Sequence, residues 1–180
     1  MSEPRWSDDA VVVPFARRWW MIDEIELVPL VAEQAQLAIL CDALEACADA
    51  LPAAPEEAVA ARLCARLDQV AARGETGAVE ALAARLDTIC GDPLALAMLD
   101  RCGPCRMADA VHAQDLAAML RAGTNAGISP DALAYMLRCF FTGCRRTMDL
   151  ELLALLALAR NRLTAEARML LSGALARRAA

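Results

Sequence analysis

The residues best suited to chemistry in this sequence are Cys102 and Cys105, which stand on either side of Gly103-Pro104 in the stretch DRCGPCR. Two thiols at this spacing can cycle between a dithiol and a disulfide, or can supply two sulfur ligands to a metal ion. An arginine flanks each cysteine and would favour a thiolate. The same residues also suit a plain connection, because Gly commonly ends one helix and Pro commonly begins the next.

Redox and metal-binding roles would use this pair in different ways. For a redox role, Cys105 would stand near the start of a helix, where free backbone N–H groups favour a thiolate. For a zinc or iron–sulfur site, Cys102 and Cys105 need a second pair, which Cys139 and Cys144 can supply around the end of a later helix. His112, the one histidine of the chain, is a further candidate ligand.

The four residues from Cys102 to Cys105 resemble the active-site motif of thioredoxin-type oxidoreductases. In that family the motif lies between a strand and a helix, whereas no run of β-branched residues flanks it here. The resemblance covers four residues only, so we transfer no function from it. We predict instead that this segment joins two helices, and we expect no cofactor and no metal.

The remaining cysteines fit a packing role. Cys41 and Cys47 recur with Leu44 at three- and four-residue steps, which place them on one face of a helix. Cys64 and Cys139 also stand beside large apolar residues. Because cysteine packs as a small hydrophobic side chain, we predict that these thiols fill volume in the core.

Composition predicts the fold class. The chain has 180 residues, of which 58% are hydrophobic but only 4% aromatic, and it is rich in Ala and Leu. Both residues favour helices, and Gly and Pro fall mostly between the apolar runs. We therefore predict an all-α, single-domain antiparallel helical bundle of about seven or eight helices. A short solenoid-like stack of helical hairpins is the alternative.

Periodicity and helix-boundary residues divide the chain further. A Trp-rich N-terminal arm is predicted at residues 1–25, and the helical bundle domain at residues 26–180. Within the bundle, Asp92-Pro93 and Ser129-Pro130 each combine a capping residue with a proline suited to the first helical turn. The predicted helices span about 25–51, 56–73, 75–90, 93–102, 104–122, 130–142, 147–160 and 164 onwards.

Nucleic-acid binding is disfavoured by charge. The chain carries a net charge of −6, which repels a phosphate backbone. Residues 123–138 nevertheless resemble the turn and second helix of a helix-turn-helix, which would imply DNA binding. The face that would contact bases offers few suitable groups, because it consists of Asp131, Ala132, Ala134 and Tyr135. DNA regulation is therefore kept as an alternative function, with no basic surface to support it.

The sequence carries no clear signal for export or membrane insertion. Its first ten residues are polar and acidic, unlike a signal peptide. The apolar run at 150–159 is too short to span a bilayer and contains Glu151. We therefore expect no membrane contact and a cytoplasmic location, in which thiols stay reduced.

These observations favour a non-catalytic helical protein–protein interaction module, such as an adaptor, a chaperone-like protein or a regulatory subunit. No phosphate loop or metalloprotease motif is present, and one histidine serves no evident catalytic set, so we predict that the chain is not an enzyme. We expect a protein partner, a homodimer or another homo-oligomer. The predicted partner-binding residues are the aromatic residues of the arm and an acidic stripe: Trp6, Phe15, Trp19, Trp20, Asp42, Glu45 and Asp49.

Overall fold

A computed structural model of the chain describes residues 21–73, 77–86, 92–123 and 127–179. These residues are almost entirely helical, with no strand beyond one isolated bridge, which confirms the all-α prediction. The described helices are α1 (Glu24–Ala50), α2 (Glu57–Ala71), α3 (Ala78–Arg85), α4 (Pro93–Ala122), α5 (Pro130–Leu158) and α6 (Ala165–Ala179).

The predicted count of seven or eight helices is wrong for this part of the chain, which contains six. The helices predicted at 93–102 and 104–122 form the single helix α4, and those predicted at 130–142 and 147–160 form α5. Gly103-Pro104 is therefore not a joint, because Cys102 and Ala110 are buried on either side of it and packing overrides the local preference. Gly143, which falls in the gap predicted between residues 142 and 147, lies inside α5 and does not end a helix. A Cβ there would lie 3.2 Å from Oδ1 of Asp109, so the glycine allows α4 and α5 to approach closely.

The predicted helix caps are present at the two long helices. Asp92 accepts a hydrogen bond from the backbone N–H of Leu94 at 2.9 Å, and Pro93 follows as the first residue of α4. Ser129 accepts one from the backbone N–H of Ala132 at 3.2 Å, ahead of Pro130 in α5. Each cap satisfies a backbone donor that the helix leaves unpaired, which explains why both helices begin where the sequence indicated.

Helix α5 is the centre of the architecture, since it packs against α1, α3, α4 and α6. Helix α4 also packs on α2, and α1 contacts α2, so these four helices surround a shared interior. A solenoid would limit contacts to neighbours in sequence, whereas here α1 meets α5 and α6 from the other end of the chain. The contacts therefore fit a bundle.

Two separate hydrophobic cores lie along the bundle. The first core is formed by the second half of α1 together with α2, α4 and the first half of α5, and it includes Leu44, Leu67 and Phe140. The second core is formed by the start of α1 with α3, the second half of α5 and α6, and it includes Leu27 and Leu171. Both cores contain side chains of α1 and α5, so these helices connect them.

Only the end of the predicted N-terminal arm falls within the described residues, and Trp6, Phe15, Trp19 and Trp20 lie outside them. Ile22 is fully buried in the second core. Its backbone N–H donates to the carbonyl oxygen of Arg162 at 2.7 Å, and its own carbonyl accepts from the N–H of Thr164 at 3.1 Å. The chain just before α1 is thus fixed to the connection that precedes α6.

Replacing Pro104 by Ala tests whether α4 is continuous. Proline inside a helix lacks the N–H for one backbone hydrogen bond, and Pro104 is exposed, so alanine should raise the free energy of unfolding by up to about 3 kcal/mol. Urea unfolding of the two proteins measures this difference. If Pro104 instead opened a new helix after a joint, the replacement would be neutral or destabilising.

Candidate functional site

A buried polar layer lies between the two hydrophobic cores. Its central residue is Arg106 of α4, whose side chain is 13% exposed. The guanidinium group donates from Nη1 to Oε1 of Glu151 on α5 at 2.6 Å and also forms an ion pair with Glu80 on α3. A charge removed from water needs such partners, so this arginine fixes three helices relative to one another.

Gln34 extends the layer to α1 and α6. Its side-chain amide donates to Oε2 of Glu151 at 2.8 Å, and its amide oxygen accepts from Nη1 of Arg178 at 3.1 Å. Arg178 in turn donates from Nε to Oδ1 of Asp149 at 2.8 Å. Arg178 is located near the end of α6, so these contacts attach the last helix to the bundle interior.

Asp109 of α4 is a second buried carboxylate in the layer. The hydroxyl group of Thr147 donates to its Oδ2 at 2.8 Å. Burial raises the pKa of Asp109, while the hydrogen bond from Thr147 opposes the rise. Burial likewise raises the pKa of Glu151, against the opposing effects of Gln34 and Arg106. In both cases loss of hydration outweighs the polar partners.

The raised carboxyl pKa values have a definite effect on stability. Above the ordinary range of carboxyl pKa values, the folded state retains protons on Asp109 and Glu151 that the unfolded chain releases. The stability that these two groups contribute is thus fully present at acidic pH. It is lost as the pH rises through their folded-state pKa values. The layer specifies how the helices meet, at a cost in stability at neutral pH.

The cavity within this layer is too small for a substrate. It has a volume of about 40 Å³ and is bordered by Gln34, Arg106, Asp109 and Glu151 among others. That space suits one or two water molecules, whereas sites for small-molecule ligands have about 300–1,000 Å³. The polar groups around it are engaged with one another, so the layer has the character of a structural network.

The structure gives the four cysteines proposed as metal ligands different degrees of exposure. Cys102 and Cys144 are buried, Cys105 is half-buried and Cys139 is exposed. In the described part of the chain, no three His, Cys, Asp or Glu side chains lie close enough together to hold a metal ion. The predicted burial of Cys139 is wrong, because the inward face of α5 there is formed by Phe140 and Phe141. Cys41, Cys47 and Cys64 are buried, as predicted.

The redox hypothesis also lacks its expected geometry. Cys105 lies inside α4 instead of at a helix start, so no free backbone N–H groups surround it. The thiol of Cys102 donates to the carbonyl oxygen of Met98 at 3.3 Å. Burial raises the pKa of Cys102 to about 12, and the carboxylates of Glu151 and Glu80 add to the rise. A thiol held protonated in this way is a poor nucleophile.

The acidic stripe predicted to bind a partner has basic neighbours within the chain. Nη2 of Arg145 is 2.8 Å from Oδ1 of Asp42 and 2.6 Å from Oε2 of Glu45. Arg138 donates to Asp49 at 2.8 Å. All three acidic residues face α5, where Arg138 and Arg145 neutralise most of their charge. A role of the stripe in binding another protein stays a prediction.

An exposed apolar face on α1 was not anticipated from the sequence. We name it the α1 seam and define it by Ile25, Val28, Ala32, Ala35 and Ile39, all of them exposed. The side chains at 25, 28 and 39 are large, and their residues are 72%, 54% and 51% exposed. By length and composition α1 is also apolar enough to span a membrane. The same is true of many helices in the cores of soluble proteins. No described helix covers the seam.

A groove borders the C-terminal part of the seam. It has a volume of about 460 Å³ and lies between α1, α5 and α6. Val31, Ala38 and Ile39 contribute apolar surface to it, while Arg145 and Arg177 provide charged edges. Ile39 therefore belongs both to the seam and to this groove, whose lining is partly apolar and partly charged.

The surroundings of residues 131–138 differ from those that DNA binding by a helix-turn-helix would need. Ala134 of the supposed base-contacting face is buried, and Arg138 is paired with Asp49. Tyr135 is 70% exposed, but it stands on a helix whose other faces pack deeply in the bundle.

Comparison of the chain with models of protein families, with curated proteins and with solved structures gives no match.

Arg106→Met tests the polar layer. The change leaves Glu151 buried without its cation, so we expect the free energy of unfolding to fall by about 3–5 kcal/mol at pH 7. The loss should be smaller at pH 5, since Glu151, whose pKa burial already raises, is then more easily protonated. Urea unfolding at both pH values measures it.

The matched control for this measurement is Arg138→Met. The ion pair of Arg138 with Asp49 is largely exposed, and pairs of that kind contribute about 0–1 kcal/mol. Equal losses for the two variants, or a loss for Arg106→Met that does not change with pH, would contradict the assignment of Arg106 as the central charge of the layer.

Thiol labelling at pH 7.5 distinguishes packing cysteines from a reactive pair. Among the cysteines that the structure describes, we expect Cys139 to be labelled first, because it is exposed, and Cys102 to remain unlabelled until the chain unfolds, because it is fully buried with a raised pKa. Mass spectrometry of the resulting peptides gives the order. Labelling of Cys102 as fast as Cys139 would restore the redox hypothesis.

Proposed function

We propose that this protein is a non-catalytic helical interaction module that binds a protein partner through the α1 seam. The observation that carries the proposal is the seam itself, a row of exposed apolar residues along one face of α1. Contiguous apolar surface of this kind marks interaction sites, whereas single exposed apolar residues are ordinary. An adaptor, a chaperone-like protein or a regulatory subunit in the cytoplasm would use such a surface.

The chemistry of the interior supports a binding role over catalysis. The buried carboxylates of Asp109 and Glu151 each have partners within the bundle, and their cavity of about 40 Å³ has no room for a substrate. Cys102 is held as a thiol. The groups that would perform acid–base or nucleophilic chemistry are therefore employed in holding the helices together.

In sequence, the N-terminal arm directly precedes the start of the seam. Trp19 and Trp20 directly precede Met21, which is itself 46% exposed and stands just before the seam. Trp6 and Phe15 lie further along the same segment. Aromatic residues are frequent anchors in protein interfaces, so we propose that the arm contributes to partner binding beside the seam.

Charge substitution in the seam tests the proposal. Ile39→Glu places a carboxylate in the proposed interface, and a penalty of about 1.4 kcal/mol or more weakens binding at least tenfold. We expect the amount of partner recovered with the tagged protein from its own cells to fall accordingly. Since the residue is half-exposed, helicity and the unfolding midpoint should stay unchanged.

Leu94→Glu is the matched control for this experiment. Leu94 is also a large exposed residue, 67% accessible, but it lies on α4, away from the seam. It should retain its partners. If Ile39→Glu and Ile25→Glu both recover every partner at the level of the unaltered chain, the seam is not the binding surface and the proposal fails.

A further inference from the structure

We infer that residues 1–20 of this chain, the greater part of the N-terminal arm, lie over the α1 seam when no partner is bound, so that a partner must displace them. The inference rests on the proposed function and adds a regulation of the same site. The described residues begin at Met21, and the seam begins four residues later at Ile25. The chain therefore brings its own arm to one end of an apolar surface that no described helix covers.

The length of the arm matches the length of the seam. Along α1 the helical rise from Glu24 to Ile39 is about 22 Å. The stretch from Asp9 to Arg18 spans up to about 30 Å when it is extended. An arm that turns back at Met21 therefore reaches along the whole seam without being fully extended.

The arm carries positive charge where the start of the seam is acidic. Glu24 is exposed in the first turn of α1 and has no ion pair with any described residue. In an arm that turns back, Arg17 and Arg18 come to this turn. A pair of this kind at the surface contributes little stability, about 0–1 kcal/mol, but it favours one direction of the arm along the helix.

The groove at the other end of the seam has an arginine that is not neutralised. The charged residues of its lining are three arginines and two aspartates: Arg145, Arg177, Arg178, Asp42 and Asp149. Arg145 and Arg178 are engaged with acidic side chains of α1 and α5. Arg177 is exposed and has no acidic partner in the described part of the chain. The groove therefore suits a segment that brings negative charge.

The order of residues in the arm fits the order of features on this surface. From Arg18 toward the N-terminus, the arm continues with the apolar residues Phe15 and Val11–Val13 and then with Asp8-Asp9. From its first turn onward, α1 presents an acidic turn, then the seam, then the groove with Arg177. When the two run in opposite directions, apolar residues meet apolar residues and each charged end meets its opposite.

A modest contact is sufficient because the arm is tethered. Ala32 and Ala35 in the middle of the seam are small, which leaves space for larger side chains such as Phe15 and Val12. The tether holds the arm near the seam at an effective concentration of about millimolar, whereas a separate molecule would have to be supplied at that concentration. A contact too small to hold two molecules together can thus keep the arm in place.

Tryptophan fluorescence of the full chain tests whether the arm is covered. All three tryptophans lie in the arm, and in a chain with Trp6→Phe the signal comes from Trp19 and Trp20. We expect acrylamide to quench them at least about twofold less in the folded chain than in urea, because a docked ring is shielded from solvent. Val28→Glu puts a carboxylate beneath the arm, so it should weaken the contact at least about tenfold and remove this protection.

Leu94→Glu is the matched control, since this exposed residue lies on α4, and it should keep the protection. Tryptophans that are quenched equally in the folded chain and in urea, or that stay protected in Val28→Glu, overturn the inference. Protection that rises with protein concentration would mean that the arm lies on another copy. Protection that needs vesicles of phosphatidylcholine would mean that it lies on lipid. Either result also overturns the inference.

A zero-length cross-link tests the direction of the arm. The sequence contains no lysine, so Arg177→Lys introduces one side-chain amine beside the groove. A carbodiimide couples this amine to a neighbouring carboxylate as an amide and takes up the water that is lost, becoming a urea. Mass spectrometry of the monomer should find position 177 joined to Asp8 or Asp9 with a yield at least about tenfold that of Arg62→Lys, because proximity raises the effective concentration.

Arg62 is the matched control because it is exposed on α2 and does not line the groove. Equal yields at the two positions overturn the proposed direction. Links from position 177 that reach only Asp42 or Asp149 overturn it as well.

The double change Asp8→Asn and Asp9→Asn tests whether the arm restrains partner binding. Without these charges the seam should be open more often, and a partner binds only the open fraction of the chain. The amount of partner recovered with the tagged protein should therefore rise at least about twofold. Glu3→Gln, which lies further along the arm, should leave recovery unchanged. Recovery that does not rise in the double variant overturns the regulation.

Failure of this inference is distinguishable from failure of the proposed function, because fluorescence is measured on the chain alone. If Ile39→Glu loses a co-purified protein while Val28→Glu keeps the tryptophans protected, the function stands and the arm is not the occupant. If Val28→Glu exposes the tryptophans while Ile39→Glu and Ile25→Glu retain every partner, the arm covers the seam and the proposed function is wrong.

Discussion

The structure depends on one arginine held between two glutamates from different helices. Arg106 meets Glu151 and Glu80, so α4, α5 and α3 are joined through a charge that is largely hidden from water. Close packing of apolar side chains resists sliding of one helix along another, but it does not require two particular atoms to meet. A buried ion pair does, because a shift would leave a charge without its partner. The arginine therefore fixes the relative positions of these helices. The hydrogen bonds of Gln34 with Glu151 and Arg178 extend the network to α1 and α6.

The buried polar and charged residues of the described chain all belong to this layer. It separates two apolar cores, and its carboxylates, amide and guanidinium groups are already paired with one another. The interaction module that we propose would act through the surface of the molecule. On that surface the most extended apolar feature of α1 is the seam from Ile25 to Ile39, and the acidic stripe beside it has already been matched by Arg138 and Arg145.

Local patterns in the sequence predicted some features well and others poorly, for physical reasons. Helical periodicity predicted the fold class, and Asp92-Pro93 and Ser129-Pro130 correctly marked helix starts, because a cap is decided by neighbouring residues. The helix breaks predicted at Gly103-Pro104 and near Gly143 were wrong, because contacts across the bundle outweigh a local preference for a break. The polar layer could not be predicted from local patterns, because its partners are distant in sequence. Arg106 and Glu151 are 45 residues apart, and Gln34 and Arg178 are 144 apart. The α1 seam was obscured because α1 is apolar on two faces, and the sequence does not say which one the bundle covers.

The backbone bridge at Ile22 has a mechanical consequence. Two hydrogen bonds, to Arg162 and from Thr164, hold the residue in front of α1 against the turn that leads into α6. A force applied to the residues that precede Met21 would therefore be shared between α1 and α6. It would not act on the N-terminal end of α1 alone. Tension applied there would be carried into the second core, where Ile22 is enclosed on all sides.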